Sequence, residues 1–485
     1  MRKPSGVLMS GTYVSPRVPP GPAGTQSLRA MRDAPLEFVT AMAAHGDVTR
    51  HDADGEPVYM LNRPDLARYV LKENGTNYTK DRTPDDDMLR PLLGNGLLTS
   101  NGAEWAAQRR RCAPAFRPAE VNRFDQVIVA AAEQLAAQWR GSGPVRVDHD
   151  LTSLTLTVIV KAMLGTDIGG AGEGFGRAVD AVNRFIGHYV PSDDPDPADT
   201  AARYVGFQRA RAFLDQVTRV IIAARRAGGP GDDLLSALLT DGHPHPGTGP
   251  AAAGPAGGPS GGPSGGPGAG PGAGPGGGPG GPADVELRDQ VLTIVMAGHE
   301  TTAKSLTWTL YLLDRHPEAA AAVRAEIDEV LDGRAPTAAD LPALRRCRQA
   351  VQEAMRLYPP VWLISRRSVA ADVIDGYDIP AGSLVCVSPW VLHRDPRYWD
   401  DPAVYRPERF DPEQAARHLS HQYLPFGGGP RICLGQHFAL VEATLVLAVI
   451  LRDLRMELVP GFPVEPEALV TLRPRHGLMM VPRPR

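Results

Sequence analysis

Cysteine is scarce in this sequence. There are four in 485 residues, Cys112, Cys347, Cys386 and Cys433, scattered and without a Cys-x-x-Cys pair. That excludes a disulfide framework and points to a reducing setting. Long apolar runs are missing as well. None approaches the ~18 residues of a membrane-spanning helix, and the longest, Phe438–Leu451, carries Glu442 and reads as a buried core helix. Behind Arg2 and Lys3 the apolar stretch is only Val7–Met9, too short for the core of a signal peptide. No charge of one sign dominates. The formal net charge of −4 indicates neither nucleic acid nor an anionic membrane surface as the main partner. A cytoplasmic protein without a membrane anchor is expected.

Hydrophobic residues make up 42% of the chain, enough for a large core. The length alone suggests two or three domains, although large single-core enzymes exist. Residues 1–27, with Pro16, Pro19, Pro20 and Pro22, read as an irregular lead-in. Val48–Leu61 reads as a hairpin around Asp52-Ala53-Asp54-Gly55. From Pro64 to Leu239 the pattern is mostly helical, with long apolar periodicity in Phe124–Trp139 and Leu151–Leu164.

Residues 242–282 are nearly all Gly, Pro, Ala and Ser. They have almost no side chains with which to offset the entropy of ordering. A disordered surface loop between two helices is the expectation, with an interdomain linker as the alternative. A single catalytic domain, 28–485, interrupted by that loop, follows from the first choice. Asp284 offers an N-cap to a helix running to about Arg315, whose middle, Val291–Ala297, is apolar nearly all round. Helices Pro317–Leu331 and Leu341–Leu357 follow, then strand, turn and strand over Val373–Val387, and short strands in Ala468–Val481. The fold class is mainly α with small β-sheets.

The chemistry concentrates in Phe426-Gly427-Gly428-Gly429-Pro430-Arg431-Ile432-Cys433-Leu434-Gly435. Three glycines and a proline make a tight, irregular loop, and a helix-forming run starts at Gln436. Cys433 then sits at a helix N-terminus, where free N–H groups and the dipole favour a thiolate. A thiolate is a soft, electron-rich ligand for haem iron. Arg431 would reach a haem propionate, and the glycines let backbone N–H groups approach the sulfur. A lone cysteine here would ordinarily be a buried free thiol. Closed zinc binding is excluded, because Cys433 and His437 are two candidates where four are needed.

Phe426, Gly429, Arg431, Cys433 and Gly435 at this spacing resemble the haem-binding signature of the cytochrome P450 family. The resemblance extends over roughly Asp65–Gly242 and Asp284–Val481. It implies haem held between a long central helix and the cysteine loop, with Cys433 as the axial ligand. Within the central helix, Ala297-Gly298-His299-Glu300-Thr301-Thr302 matches the family's oxygen-side motif. Gly298 would let a planar cofactor approach beside Ala297. The resemblance implies Thr301 as proton relay and Glu300 as proton source. The plain alternative has Thr301 bonded back to its own helix and Glu300 in solvent.

Glu353 and Arg356 match the family's structural ion pair, completed by Arg409. Trp105 and Arg109, one turn apart, are implied to meet a propionate, as is an arginine of Ser365-Arg366-Arg367. Arg367 fits the spacing to the acidic Asp372 better than Arg366 does. His393-Arg394-Asp395-Pro396 is assigned only a structural role.

The implied reaction inserts one atom of O2 into a C–H or C=C bond, with haem b as cofactor and electrons ultimately from NAD(P)H. The chain ends soon after the haem loop, so separate donors are expected, a ferredoxin and its reductase, acting on a monomer. Arg109–Arg111, Arg345, Arg346 and Arg348 form either a basic docking face or ordinary solvated surface. Leu97, Leu98, Ile294, Ala297, Val361, Trp362, Ile364 and Val470 are candidate pocket residues. Their apolar character calls for a lipophilic ligand, terpenoid, fatty-acyl or polyketide-like. The composition looks similar to actinobacterial members of secondary metabolism. A haem-based gas sensor and a haem-thiolate isomerase or dehydratase are the rival classes. Neither would need Glu300 and Thr301.

Overall fold

The computed structural model describes residues 17–22, 27–53, 55–166, 171–187, 197–229, 231, 233–240 and 282–485. The expected lead-in falls largely outside these residues, and so does the expected loop, apart from Pro282. Ser27 already opens a short helix and Pro282 opens the central one.

The hairpin forms as the sequence suggests, with β1 Val48–Ala53 and β2 Glu56–Leu61 antiparallel. Gly55 takes φ +83, and its N–H donates to Asp52 Oδ1 at 2.7 Å. With β3 (Tyr78–Thr79), β4 (Ile364–Ser368) and β5 (Leu384–Val387) it builds a sheet in the order β1-β2-β5-β4-β3. Only β2 and β5 run parallel. Three smaller sheets use the remaining strands.

The helical body is organised by α1 (Gly102–Cys112), α2 (Asp125–Trp139), α3 (Val147–Leu164), α4 (Ala171–Gly187), α5 (Pro282–Arg315), α6 (Arg345–Leu357) and α7 (Gln436–Asp453). The apolar middle of α5 has no polar face to give to water, so it runs through the molecule, packed along α3 and touching α6 and α7. One hydrophobic core takes residues from Leu92 to Leu238 and from Leu287 to Met480. The chain on both sides of 241–281 therefore shares one interior. Two satellite clusters lie under the five-stranded sheet and the N-terminal helices. No helix among the described residues is long and apolar enough to cross a membrane.

The polar residue inside α7 stands out physically. Glu442 is 0% exposed, and both its oxygens lack a hydrogen-bond partner among the described residues. Thr302 on α5 is its polar neighbour, and the Thr302 hydroxyl donates to Gly298 O at 3.3 Å. Burial drives the Glu442 carboxyl well above the carboxylate range, with Thr302 only partly opposing. The folded state thus holds a proton that the unfolded chain releases above the ordinary value of 4.5. Stability contributed by this group is present at lower pH and lost as pH rises, by about 1.4 kcal/mol per pH unit. Glu442→Gln is expected to match the wild type near pH 4 and to exceed it increasingly toward pH 7. Melting curves of both proteins across that range test this, and parallel curves would contradict it.

Candidate active site

The cysteine loop is built by close packing. Gly429 has φ +66, and a Cβ on it would run into the carbonyl oxygen of Leu71, so only glycine lets the loop settle on the helical turn Tyr69–Glu73. The loop closes through Cys433 N–H donating to Phe426 O at 2.9 Å. Gly435 caps α7, and its N–H reaches the Cys433 sulfur. Cys433 is surface-accessible although protein packs around it on nearly every side. Its sulfur therefore faces an internal space. Burial raises the thiol pKa, while the Gly435 N–H and the Arg109 charge oppose the rise. Coordination to a metal removes a thiol proton outright.

The opposite wall is α5. Val291–Val295 and Thr302–Leu310 are buried, yet Ala297 between them is exposed. Thr301, one turn on, lies on the same side, and its Oγ1 donates to Ala297 O at 2.8 Å. Its lone pairs stay available to the open side. Glu300 is buried. It accepts from Asn183 Nδ2 at 2.6 Å and from Thr471 Oγ1 at 2.9 Å. Consecutive helical residues diverge by about 100°, so the structure does not join the Glu300 carboxylate to the Thr301 hydroxyl. The Thr301 back-bond is the plain alternative raised above; Glu300 is not in solvent.

A cluster of cations rims this space. Arg431 Cζ lies 4.6 Å from the centre of the Trp105 indole and Arg109 Cζ lies 5.8 Å from it. Arg431 Nη2 donates to Ser100 O at 2.6 Å and to Asn101 Oδ1 at 2.8 Å. Burial and the neighbouring Arg366 and Arg109 charges push Arg431 down to about 10, against Asp86 and Asp85. Arg366 is buried and lowered by burial, with Asp85 opposing. Lys80 is lowered for the same reason. Asp85 binds Lys80 Nζ at 3.2 Å and the Ser365 hydroxyl at 2.7 Å. Asp86 is already taken by Arg90 at 2.8 Å. Four cations around one inner carboxylate call for further negative charge, because burying unpaired charge is costly. The two propionates of a haem would meet that need, and the Cys433 sulfur would hold its iron. The residues fit a haem.

Three expectations need correction. Arg367 does not join the cluster: it donates to Arg82 O at 2.8 Å and to Gly382 O at 2.7 Å and pairs with Glu56. Strand residues alternate faces, and the pairing of β4 with β5 turns Arg366 inward. Spacing to Asp372 misled, because that carboxylate accepts from Tyr78 at 2.7 Å and from Tyr69 and Asn74. Gly298 does not open the helix to a cofactor. A Cβ there would meet Ile159 Cδ1 at 2.9 Å, so the glycine serves the packing of α5 on α3. Trp362 also leaves the pocket. It packs in a satellite core and donates from Nε1 to Leu469 O at 2.9 Å.

Behind the site, Glu353 and Arg356 pair at 2.7 Å, both 0% exposed, and Arg409 Nε adds a contact to Glu353 at 3.2 Å. Arg356 also donates to His393 O and Pro402 O at 2.8 Å and to Val404 O at 3.1 Å. His393 Nε2 accepts from Leu424 N–H at 2.7 Å. The network ties α6 to the chain leading into the cysteine loop. Sequence reasoning missed Lys80, Asp85, Asn183 and Thr471. None lies in a motif, and only folding brings them to the site.

Comparison with known proteins agrees with this geometry. A family model described as Cytochrome P450 matches residues 18–228 and 276–482. Cyclooctatin synthase of Streptomyces melanosporofaciens is 35% identical over 94% of this chain and 92% of its own. Cyclooctat-9-en-7-ol 5-monooxygenase of the same organism is 31% identical over 88% and 86%. Pentalenene oxygenase of Streptomyces avermitilis is 30% identical over 91% of each. Among solved structures, the cytochrome P450DA heme domain superposes with a TM-score of 0.79 at 25% identity, covering 97% of this chain and 98% of that one.

Proposed function

The chain belongs to the cytochrome P450 family and is a monooxygenase, and from that premise we propose that it oxidises a lipophilic terpenoid in secondary metabolism. The observation that carries the reading is the Cys433 sulfur, open to an internal space rimmed by Arg109, Arg366 and Arg431. Two relatives have cyclooctat-9-en-7-ol and pentalenene in their names, which supports the substrate class. Leu97, Leu98, Ile294 and Val470 belong to or pack on the main core near α5, and they suit an apolar ligand.

When bound, the haem supplies dioxygen activation and one-electron chemistry that no side chain provides. Cys433 would hold the iron, with the Gly435 N–H steadying the sulfur. Arg109, Arg431 and Arg366 would hold the propionates, with the first two both within cation–π reach of the Trp105 ring. Thr301 keeps its hydroxyl hydrogen on Ala297 O and accepts from water on the open side. Glu300 would turn from Asn183 and Thr471 and pass a proton to the water that Thr301 accepts from, and Glu300 would be reprotonated from solvent. The family implies electrons from redox partner proteins. A ferredoxin with its NAD(P)H-dependent reductase is the proposed source, docking on exposed Arg110, Arg345, Arg346 and Arg348. Arg111 drops out of that face, being tied to Glu286.

Thr301→Ala tests the reading. Product formed per reducing equivalent is expected to fall about tenfold or more, less than the roughly 10²–10⁴-fold that a positioned proton donor contributes, while consumption of the donor continues. A variant that couples the donor to product as well as the wild type would remove Thr301 from the proton relay.

A further inference from the structure

The wall of α5 that carries Ala297 and Thr301 continues toward the start of the helix. With a rotation of about 100° per residue, Gln290 lies about 20° and Thr293 about 40° from Ala297 around the axis. The two stand about 10 Å and about 6 Å along it. Gln290 is 2% exposed and Thr293 3%. Gln290 Oε1 accepts from Leu97 N–H at 3.2 Å, which fixes the orientation of the amide. Its Nε2 and the Thr293 Oγ1 have no hydrogen-bond partner among the described residues.

The loop over them is fitted closely. Asn95 N–H donates to Asp289 Oδ2 at 2.7 Å, and a Cβ on Gly96 would run into Thr293 Oγ1. Leu97 and Leu98 of the same loop pack on the main core, to which Ile294, next to Thr293 on α5, belongs. An amide NH2 and a hydroxyl, one turn apart and buried without a hydrogen-bond partner among the described residues, are disfavoured unless something polar meets them.

We infer that Gln290 and Thr293 form the polar anchor of the substrate site, and that the substrate carries an oxygen function, a hydroxyl or a carbonyl. That oxygen accepts from Gln290 Nε2 and shares a hydrogen bond with Thr293 Oγ1. The inference rests on the terpenoid reading above. It places the reaction after an earlier hydroxylation or hydration, because a bare hydrocarbon has nothing for the anchor to hold. It also sets regiochemistry: the carbon offered near Ala297 and Thr301 lies across the skeleton from the existing oxygen.

The test is a spin-state binding titration of the haem-loaded protein with cedrene and with its hydrate, cedrol. The wild type is expected to bind the alcohol about tenfold more tightly, as one or two net hydrogen bonds allow. Thr293→Val and Gln290→Met should weaken cedrol until the two ligands differ by less than about twofold, with cedrene unchanged. A wild type without preference for cedrol overturns the inference. So do variants that weaken both ligands equally, since then the two side chains only dock the Asn95–Leu98 loop. A protein with a normal thiolate spectrum that binds neither probe overturns the terpenoid reading as well.

Discussion

Exchanging Cys433 for serine is expected to remove the red-shifted Soret band of the reduced carbon monoxide complex and to lower turnover by well over a hundredfold. Even outer ligands of a metal cost about 10- to 100-fold when changed, and here the ligand itself is lost. The electronic reason is specific to sulfur. A thiolate pushes electron density toward O–O cleavage, and a neutral oxygen ligand does not. The geometry adds a second reason. The Gly435 N–H and the Arg109 charge are both directed at the atom in position 433, and both favour an anion there. Absorbance of the wild type and Cys433→Ser, each reduced and saturated with carbon monoxide, decides the matter. A wild-type band at the position of histidine-ligated haem would remove the basis of the oxygenase reading.

The second large effect is expected at Arg356. Arg356→Leu leaves the Glu353 carboxylate 0% exposed and, among the described residues, with Arg409 and the Arg406 N–H as its remaining partners. Breaking a buried pair by removing one partner costs about 3–5 kcal/mol. The carbonyls of His393, Pro402 and Val404 lose their donor as well, at about 1–3 kcal/mol for each buried group left unsatisfied. These costs are not additive, but their sum rivals the about 5–15 kcal/mol that holds a domain folded. Haem content per protein and melting temperature should both collapse. Arg356→Lys restores the charge without the planar fork, so it should recover part of the stability and little of the haem retention. An Arg356→Leu protein that melts normally and keeps its haem would show that the network does not support the pocket.

Much of this was legible in order along the chain. The course of α5 followed from an apolar stretch with no polar face, and α7 from the run behind Gly435. The hairpin was readable because Asp52 and Gly55 are turn residues between two short apolar strands. The cysteine loop was readable because thiolate, glycine and guanidinium stand within ten residues. The Glu353–Arg356 pair was readable because three residues of helix place both side chains on one face.

What the sequence by itself determined is therefore local: which segments are helical, where the thiol stands, and the class of chemistry a thiol in such a loop performs. The tertiary structure alone decided which way each side chain faces and what it meets. Arg366 rather than Arg367 turns inward because β5 pairs with β4 in one register, and a strand cannot turn both neighbours the same way. Gly298 meets Ile159 because α3 crosses α5 at that turn. Glu300 is held by Asn183 and Thr471, 117 and 171 positions away, at contacts that exist only when three distant segments pack together. Hydrogen bonds and charges act over a few ångströms, so partners remote in sequence become partners only through the fold.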